Sequence, residues 1–112
     1  MRVRAISKNV GISPLKVRLV IDAVRGKPIP EAINMLRFMP TPAARALGKT
    51  IRSAVANAEN NYQLLPSDMK LVGMFAEKGR VAKRFRPQAR GRIAPILRNS
   101  CHIHVIVAAE EA

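Results

Sequence analysis

Tryptophan is absent, tyrosine occurs once and phenylalanine three times in 112 residues. So little ring surface implies an aliphatic core, and it argues against the aromatic platforms on which many RNA-binding domains stack bases. A single cysteine, Cys101, cannot form an internal disulfide, so a cytoplasmic address is the simplest expectation. Apolar runs are only a few residues long, against the roughly 20 that a membrane-spanning helix needs. The opening Met1-Arg2-Val3-Arg4-Ala5 carries charge but no apolar stretch behind it, so no secretory signal is visible. Acids are the scarcest class for a chain with this much charge: 7 Asp and Glu stand against 20 Lys and Arg, a formal net charge of +13.

That imbalance is the strongest feature. A small domain needs a net charge of only about 2–8 for solubility, so a merely solvated surface does not account for the excess. A hydrophobic fraction of 48% is too high for a disordered basic tail, which lacks apolar area to bury. The length suggests one domain over residues 1–112. The expected partner is a polyanion, nucleic acid first, because neutralising phosphates releases counterions and drives binding. The charge is also uneven. Eight basic residues run from Lys78 to Arg98, no acid lies between Glu77 and Glu110, and the first 27 residues hold seven Lys and Arg against Asp22 alone. Blocks this dense either repel themselves into disorder or mark interaction arms.

Residues 2–8 are expected to form a short strand. Ser13-Pro14 then reads as a helix start, with the hydroxyl capping free N–H groups and proline in the first helical position. This helix is expected to run over 14–25 and to stop at Gly26, which tolerates the left-handed conformation. Leu15, Val17, Leu19, Val20, Ile21, Ala23 and Val24 cover most of its circumference and predict a largely buried helix. Asp22, four residues after Arg18 and three before Arg25, is positioned to hold both guanidinium groups. A shorter helix is expected over 30–38, ended by Pro40. Thr41-Pro42 opens the longest one, to about residue 61. Its face of Ala44, Leu47, Ile51, Ala54, Val55 and Ala58 opposes a basic stripe of Arg45, Lys49 and Arg52. Leu64-Leu65-Pro66-Ser67-Asp68 follows as a loop.

From Met69 the period changes to two, with Leu71, Gly73 and Phe75 alternating with Lys70, Val72 and Met74. The same period returns at Cys101, Ile103, Val105 and Val107, which alternate with His102, His104 and Ile106. Two such segments around an acid-free stretch predict an antiparallel hairpin whose arm, residues 80–98, projects by roughly 30 Å at about 3.3 Å per residue. The expected class is therefore α+β: three helices packed on a small antiparallel sheet of about three strands, with a long protruding basic β-hairpin.

Chemistry-bearing clusters are few. Cys101-His102-Ile103-His104 is the one candidate metal motif, yet in a strand the two histidines share a face that the cysteine does not, and a structural zinc needs four ligands. No metal and no cofactor is expected. The acids are scattered, no glycine-rich phosphate loop is present, and no nucleophile has a base and orienting acid nearby in sequence, so an enzyme is not expected.

Three segments in order carry a likeness. They are Ile12-Ser13-Pro14-Leu15-Lys16-Val17-Arg18-Leu19-Val20 with Asp22 and Arg25-Gly26, then Ser53-Ala54-Val55-Ala56-Asn57-Ala58-Glu59-Asn60-Asn61, then Lys83-Arg84-Phe85-Arg86-Pro87-Gln88-Ala89-Arg90-Gly91-Arg92 followed by His102-Ile103. Together they resemble the universal large-subunit ribosomal protein twenty-two family, of bacterial type, over nearly the whole chain. The resemblance implies a structural constituent of the large ribosomal subunit, located in the cytoplasm within that subunit, that binds its ribosomal RNA and assists assembly. It also implies a hairpin that reaches through RNA to the wall of the polypeptide exit tunnel. The implied tip is Arg84, Phe85, Arg86, Pro87, Gln88, Ala89, Arg90, Gly91 and Arg92. The residues expected to meet RNA are Arg2, Arg4, Lys8, Lys16, Arg18, Arg25, Lys49, Arg52, Lys78, Arg80, Lys83, Arg84, Arg86, Arg90, Arg92 and Arg98.

The implied partners are large-subunit ribosomal RNA, neighbouring ribosomal proteins and the nascent chain, with no membrane and a monomer within the ribosome. The returning limb departs from the family pattern: Ile93-Ala94-Pro95-Ile96-Leu97 carries no charge, which suggests apolar packing on RNA sugars or on a protein. From composition alone, a basic architectural DNA-binding protein is the alternative, its arm entering a minor groove. A nucleic-acid hydrolase would need clustered carboxylates to hold metal, and the sequence offers none.

Overall fold

In the computed structural model residues 2–63, 69–87 and 93–109 are described, with backbone alone for 82–87, 93–98 and 109. The order of elements is β1 (Arg2–Val10), α1 (Pro14–Val24), α2 (Ile29–Phe38), α3 (Pro42–Tyr62), β2 (Met69–Lys78), β3 (Ala82–Pro87), β4 (Ile93–Arg98) and β5 (Cys101–Ala109). β1, β5 and β2 form an antiparallel sheet in that order, and β3 pairs with β4 in a ladder of its own. This is the expected α+β arrangement of three helices on a three-stranded sheet with a hairpin extension. The loop expected at 64–68 and residues 88–92 of the expected tip at 84–92 lie outside the described residues.

Alternation places Val3 and Ala5 of β1, Met69 and Ala76 of β2, and Cys101, Ile103, Val105 and Val107 of β5 on one sheet face, where they are buried. The helices meet that face with Val17, Val20, Ile21 and Val24 of α1, Ile29, Ala32 and Leu36 of α2, and Leu47, Ile51, Ala54 and Ala58 of α3. The core is aliphatic, as the shortage of rings requires. Within it Thr50 is fully buried: its hydroxyl donates to the Ala46 carbonyl at 2.9 Å and accepts from Ser7 Oγ at 2.7 Å, so two polar groups are satisfied and β1 is tied to α3.

Helix boundaries follow from local chemistry, with some departures from expectation. Thr41 caps α3 through Oγ1, which accepts from Ala44 N at 3.2 Å, and Pro42 occupies the first helical position. Ser13 sits at the N-cap of α1 in extended conformation, but its hydroxyl makes no capping bond; its carbonyl instead accepts from Lys16 N and Val17 N. α1 ends at Val24, and Arg25-Gly26 (Gly26 φ 82°) forms a turn closed by Lys27 N donating to Val24 O at 3.2 Å. The Arg25 φ and ψ of −62° and 135° make this a type II turn, in which the third position needs a residue free to take positive φ. α2 begins at Ile29, one residue earlier than the proline pattern suggested.

α1 is not the largely buried helix that its apolar circumference predicted. Leu15 and Leu19 are 70% and 71% exposed, because only one flank meets the sheet and α3. β2 departs as well. A register shift between Leu71 and Gly73 leaves Val72 as an extra residue, so inward positions pass from Met69 and Leu71 to Met74 and Ala76. Phe75 is thereby turned to the outer face, away from the side that strict alternation with Leu71 predicts.

At the foot of the arm, three residues of the outgoing strand (79–81) oppose two of the returning one (99–100). Lys78 pairs with Cys101, whereas Ala82 already pairs with Arg98. Gly79 N donates to Ser100 O at 2.9 Å and Ser100 Oγ donates to Arg80 O. A Cβ on Gly79 would fall 2.8 Å from Ser100 Oγ and 3.2 Å from its carbonyl carbon, so glycine is required by close approach. Beyond this joint, Pro95 stands opposite Phe85. Proline is tolerated there because each strand of a two-stranded ladder has a free edge. The molecule measures 68 × 26 × 17 Å with a radius of gyration of 17.2 Å, against about 13 Å for a compact chain of this length.

Candidate nucleic-acid interface

Every basic residue of the body expected to meet RNA is exposed: Arg2, Arg4 and Lys8 on β1, Lys16 and Arg18 on α1, Arg25 after it, Lys49 and Arg52 on α3, and Lys78 and Arg80 at the arm's foot. They fall on both layers. Arg2 and Arg4 alternate with buried Val3 and Ala5 and so occupy the outer face of the sheet, while Arg45, Lys49 and Arg52 line the outer side of α3. Among the described residues only Arg25 forms a Lys or Arg ion pair, with Asp22 at 3.5 Å, and both of those side chains are about two-thirds exposed. Among the described residues the other Lys and Arg side chains have no carboxylate within ion-pair distance.

Arg18 corrects an expectation. Asp22 does not hold it; Nε and a terminal nitrogen of Arg18 donate to the Ala76 carbonyl at 3.3 and 3.0 Å. Since β2 is an edge strand, that carbonyl would otherwise face solvent, and Arg18 covers the open edge while its guanidinium is fixed. Sequence spacing along one helix identified Asp22 as the partner, but the partner lies 58 residues away on a strand.

The backbones of Lys83, Arg84 and Arg86 fall in β3 and that of Arg98 in β4, paired Lys83 with Leu97, Arg84 with Ile96, Phe85 with Pro95, and Arg86 with Ala94. Gln88, Ala89, Arg90, Gly91 and Arg92 lie outside the described residues. Reasoning from sequence passed over exposed Lys27, Arg37 and Lys70, and left Arg45 out of the expected contacts. Arg37 and Arg45 join Arg52 around an open cleft between α2 and α3 with Phe38 on its wall. The fragment Leu36-Arg37-Phe38 ends a short helix, where no periodicity marks an outward face.

Cys101 is buried on the inner face, while His102 and His104 point outward, so the three do not converge. His102 Nδ1 accepts from Asn9 N at 3.1 Å, where Asn9 takes φ 56° in the β1 irregularity. His104 Nε2 lies 3.3 Å from Glu77 Oε2, and its ring stacks on Phe75 with centroids 4.5 Å apart and planes 10° from parallel. Burial pushes the Cys101 thiol above its ordinary pKa, and the nearby Arg18 charge offsets only part of that shift. Such a thiol stays protonated and suits a core residue rather than a nucleophile. No cluster of three potential metal ligands occurs among the described residues.

The model of the family described as Ribosomal protein L22p/L17e matches residues 5–108. Proteins named large ribosomal subunit protein uL22 are similar over 108 residues. Those from strains of Dehalococcoides mccartyi are 56% identical, covering 96% of this chain and 99% of the relative. That of Chloroflexus aggregans is 45% identical, covering 96% of each.

Proposed function

Because the chain belongs to the ribosomal protein L22p/L17e family, we propose that it is a structural protein of the large ribosomal subunit, in the cytoplasm, binding large-subunit ribosomal RNA and adjoining other proteins of the subunit. One observation carries the RNA-binding part: the body presents exposed, almost unpaired basic residues on both of its layers at once. A protein lying in one groove of a duplex needs charge on one side. A protein set among several RNA segments needs it on many, and that favours folded RNA over the DNA-binding alternative.

In this reading Arg2, Arg4, Lys8, Lys16, Arg18, Arg25, Lys49, Arg52, Lys78 and Arg80 neutralise phosphates from the body, and Lys83, Arg84, Arg86, Arg90, Arg92 and Arg98 do so along the arm. The chain acts as one domain with 80–98 as its extension and 84–92 as the tip lining the exit tunnel beside the nascent polypeptide. It is a single copy in the subunit and does no catalysis. The uncharged returning limb packs on sugars or on a neighbouring protein. Binding to isolated large-subunit RNA should fall roughly a thousand-fold or more between 50 and 200 mM salt if about six to ten phosphates are neutralised. A nearly flat dependence in a filter-binding titration overturns the electrostatic reading, and loss of the endogenous protein from large subunits in sucrose gradients overturns the structural one.

A further inference from the structure

Between α1 and the edge strand β2 lies an open cleft of about 330 Å³, lined by Arg18, Ile21, Asp22, Arg25, Met74, Phe75 and Ala76. Phe75 is the unusual member. It is 43% exposed on an edge strand, a position where proteins normally place charge to discourage sticking. One face of its ring rests flat on His104. The His104 side chain is only 14% exposed, so the ring beneath Phe75 is packed into the sheet surface rather than loose. The cleft also holds Arg18, fixed by its two bonds to the Ala76 carbonyl, and Arg25, steadied by Asp22. An aromatic ring backed by a second ring, beside an immobilised guanidinium, matches what an unpaired base requires: a flat surface to stack on and a cation for its phosphate.

We propose that this cleft is a nucleotide site, in which one unstacked base of the subunit's RNA lies on the open face of Phe75 with its phosphate on Arg18 and Arg25. Asp22, in the same wall, is the acceptor for a base N–H. The proposal rests on the RNA-binding reading above and deepens it. Three phenylalanines exclude a row of platforms but leave room for one. An apolar side chain of a neighbouring protein is the competing occupant; it would use Phe75, Ile21 and Met74 but has no need of two arginines beside them.

The full chain is titrated with isolated large-subunit RNA as wild type, Phe75→Leu, Phe75→Trp and Arg18→Ala, with thermal melts run on each. Leucine keeps apolar cover over His104 and removes the ring, so affinity should fall about tenfold, and tryptophan should restore it. Neither change alters the slope of affinity against salt, because no phosphate contact is removed, whereas Arg18→Ala lowers that slope by about one. Ultraviolet irradiation of assembled subunits containing the unmodified chain should attach a nucleotide to the tryptic peptide spanning 71–78. Unchanged affinity in Phe75→Leu, or a crosslink from that peptide to protein or to nothing, overturns the nucleotide site and leaves the general reading standing. Salt-independent binding by the wild type overturns that reading, and the site with it.

Discussion

The body and the arm obey different physics although the same two chain segments run through both. In the body, β5 pairs with β2 on one side and β1 on the other, and helices cover one face of that sheet, so alternate residues are buried between layers. Past Gly79 and Ser100 the same two chain segments continue as β3 and β4, paired only with each other. An isolated two-stranded hairpin is marginal in water, because it has no second layer against which to bury a face. The difference is composition. Segments 69–78 and 101–109 alternate apolar residues with others, and 82–98 is rich in Arg, Lys and Pro. Stability is therefore expected to reside in the body, and the arm to depend on an external surface.

The largest test of that contrast compares a core truncation with an arm truncation. Leu47 is fully buried in α3, so Leu47→Ala should cost about 2–5 kcal/mol in urea unfolding. Replacing residues 84–94 by a short glycine-containing turn should change body stability by no more than about 0.5 kcal/mol. Equal losses would show that the arm belongs to the core. A smaller effect is expected at the joint, where Gly79→Ala forces a Cβ against Ser100 backbone and should cost about 1–3 kcal/mol. Amide exchange should then rise at Gly79, whose bond to Ser100 O is the rung between body and arm; unchanged stability and exchange would mean that the joint yields freely. The smallest effect concerns Asp22→Asn. With its partner Arg25 well exposed and Arg18 held elsewhere, stability should change by less than about 0.5 kcal/mol. Arg18→Ala and Asp22→Asn should be additive in a double-mutant cycle, and a clear coupling energy would show that the two side chains interact after all.

Much of the fold was legible because each signal is local. Proline in the first helical position at Pro14 and Pro42, the hydroxyl of Thr41 and positive φ at Gly26 need only neighbours in sequence, and they mark helix ends within a residue or two. The period-two pattern of β5 and the helical face of α3 are likewise written residue by residue, and both are buried as read except Val55, which is only partly covered. The basic residues were identifiable as surface because Lys and Arg are almost never fully buried unless paired.

What the sequence determined by itself is thus the class, the order of elements, the aliphatic core and the charge that demands a polyanion. What only the tertiary structure decided depends on how many sides of an element are covered and on where strands slip. Leu15 and Leu19 look like core on a helical wheel, but α1 is covered on one flank and they remain outside. Phe75 looks like a partner of Leu71 and Gly73, but one extra residue in β2 reverses the alternation and lays its ring on His104. Arg18 finds a carbonyl on an edge strand rather than the carboxylate one turn away. Each of these turns on a contact between residues far apart in the chain, for which local spacing carries no information.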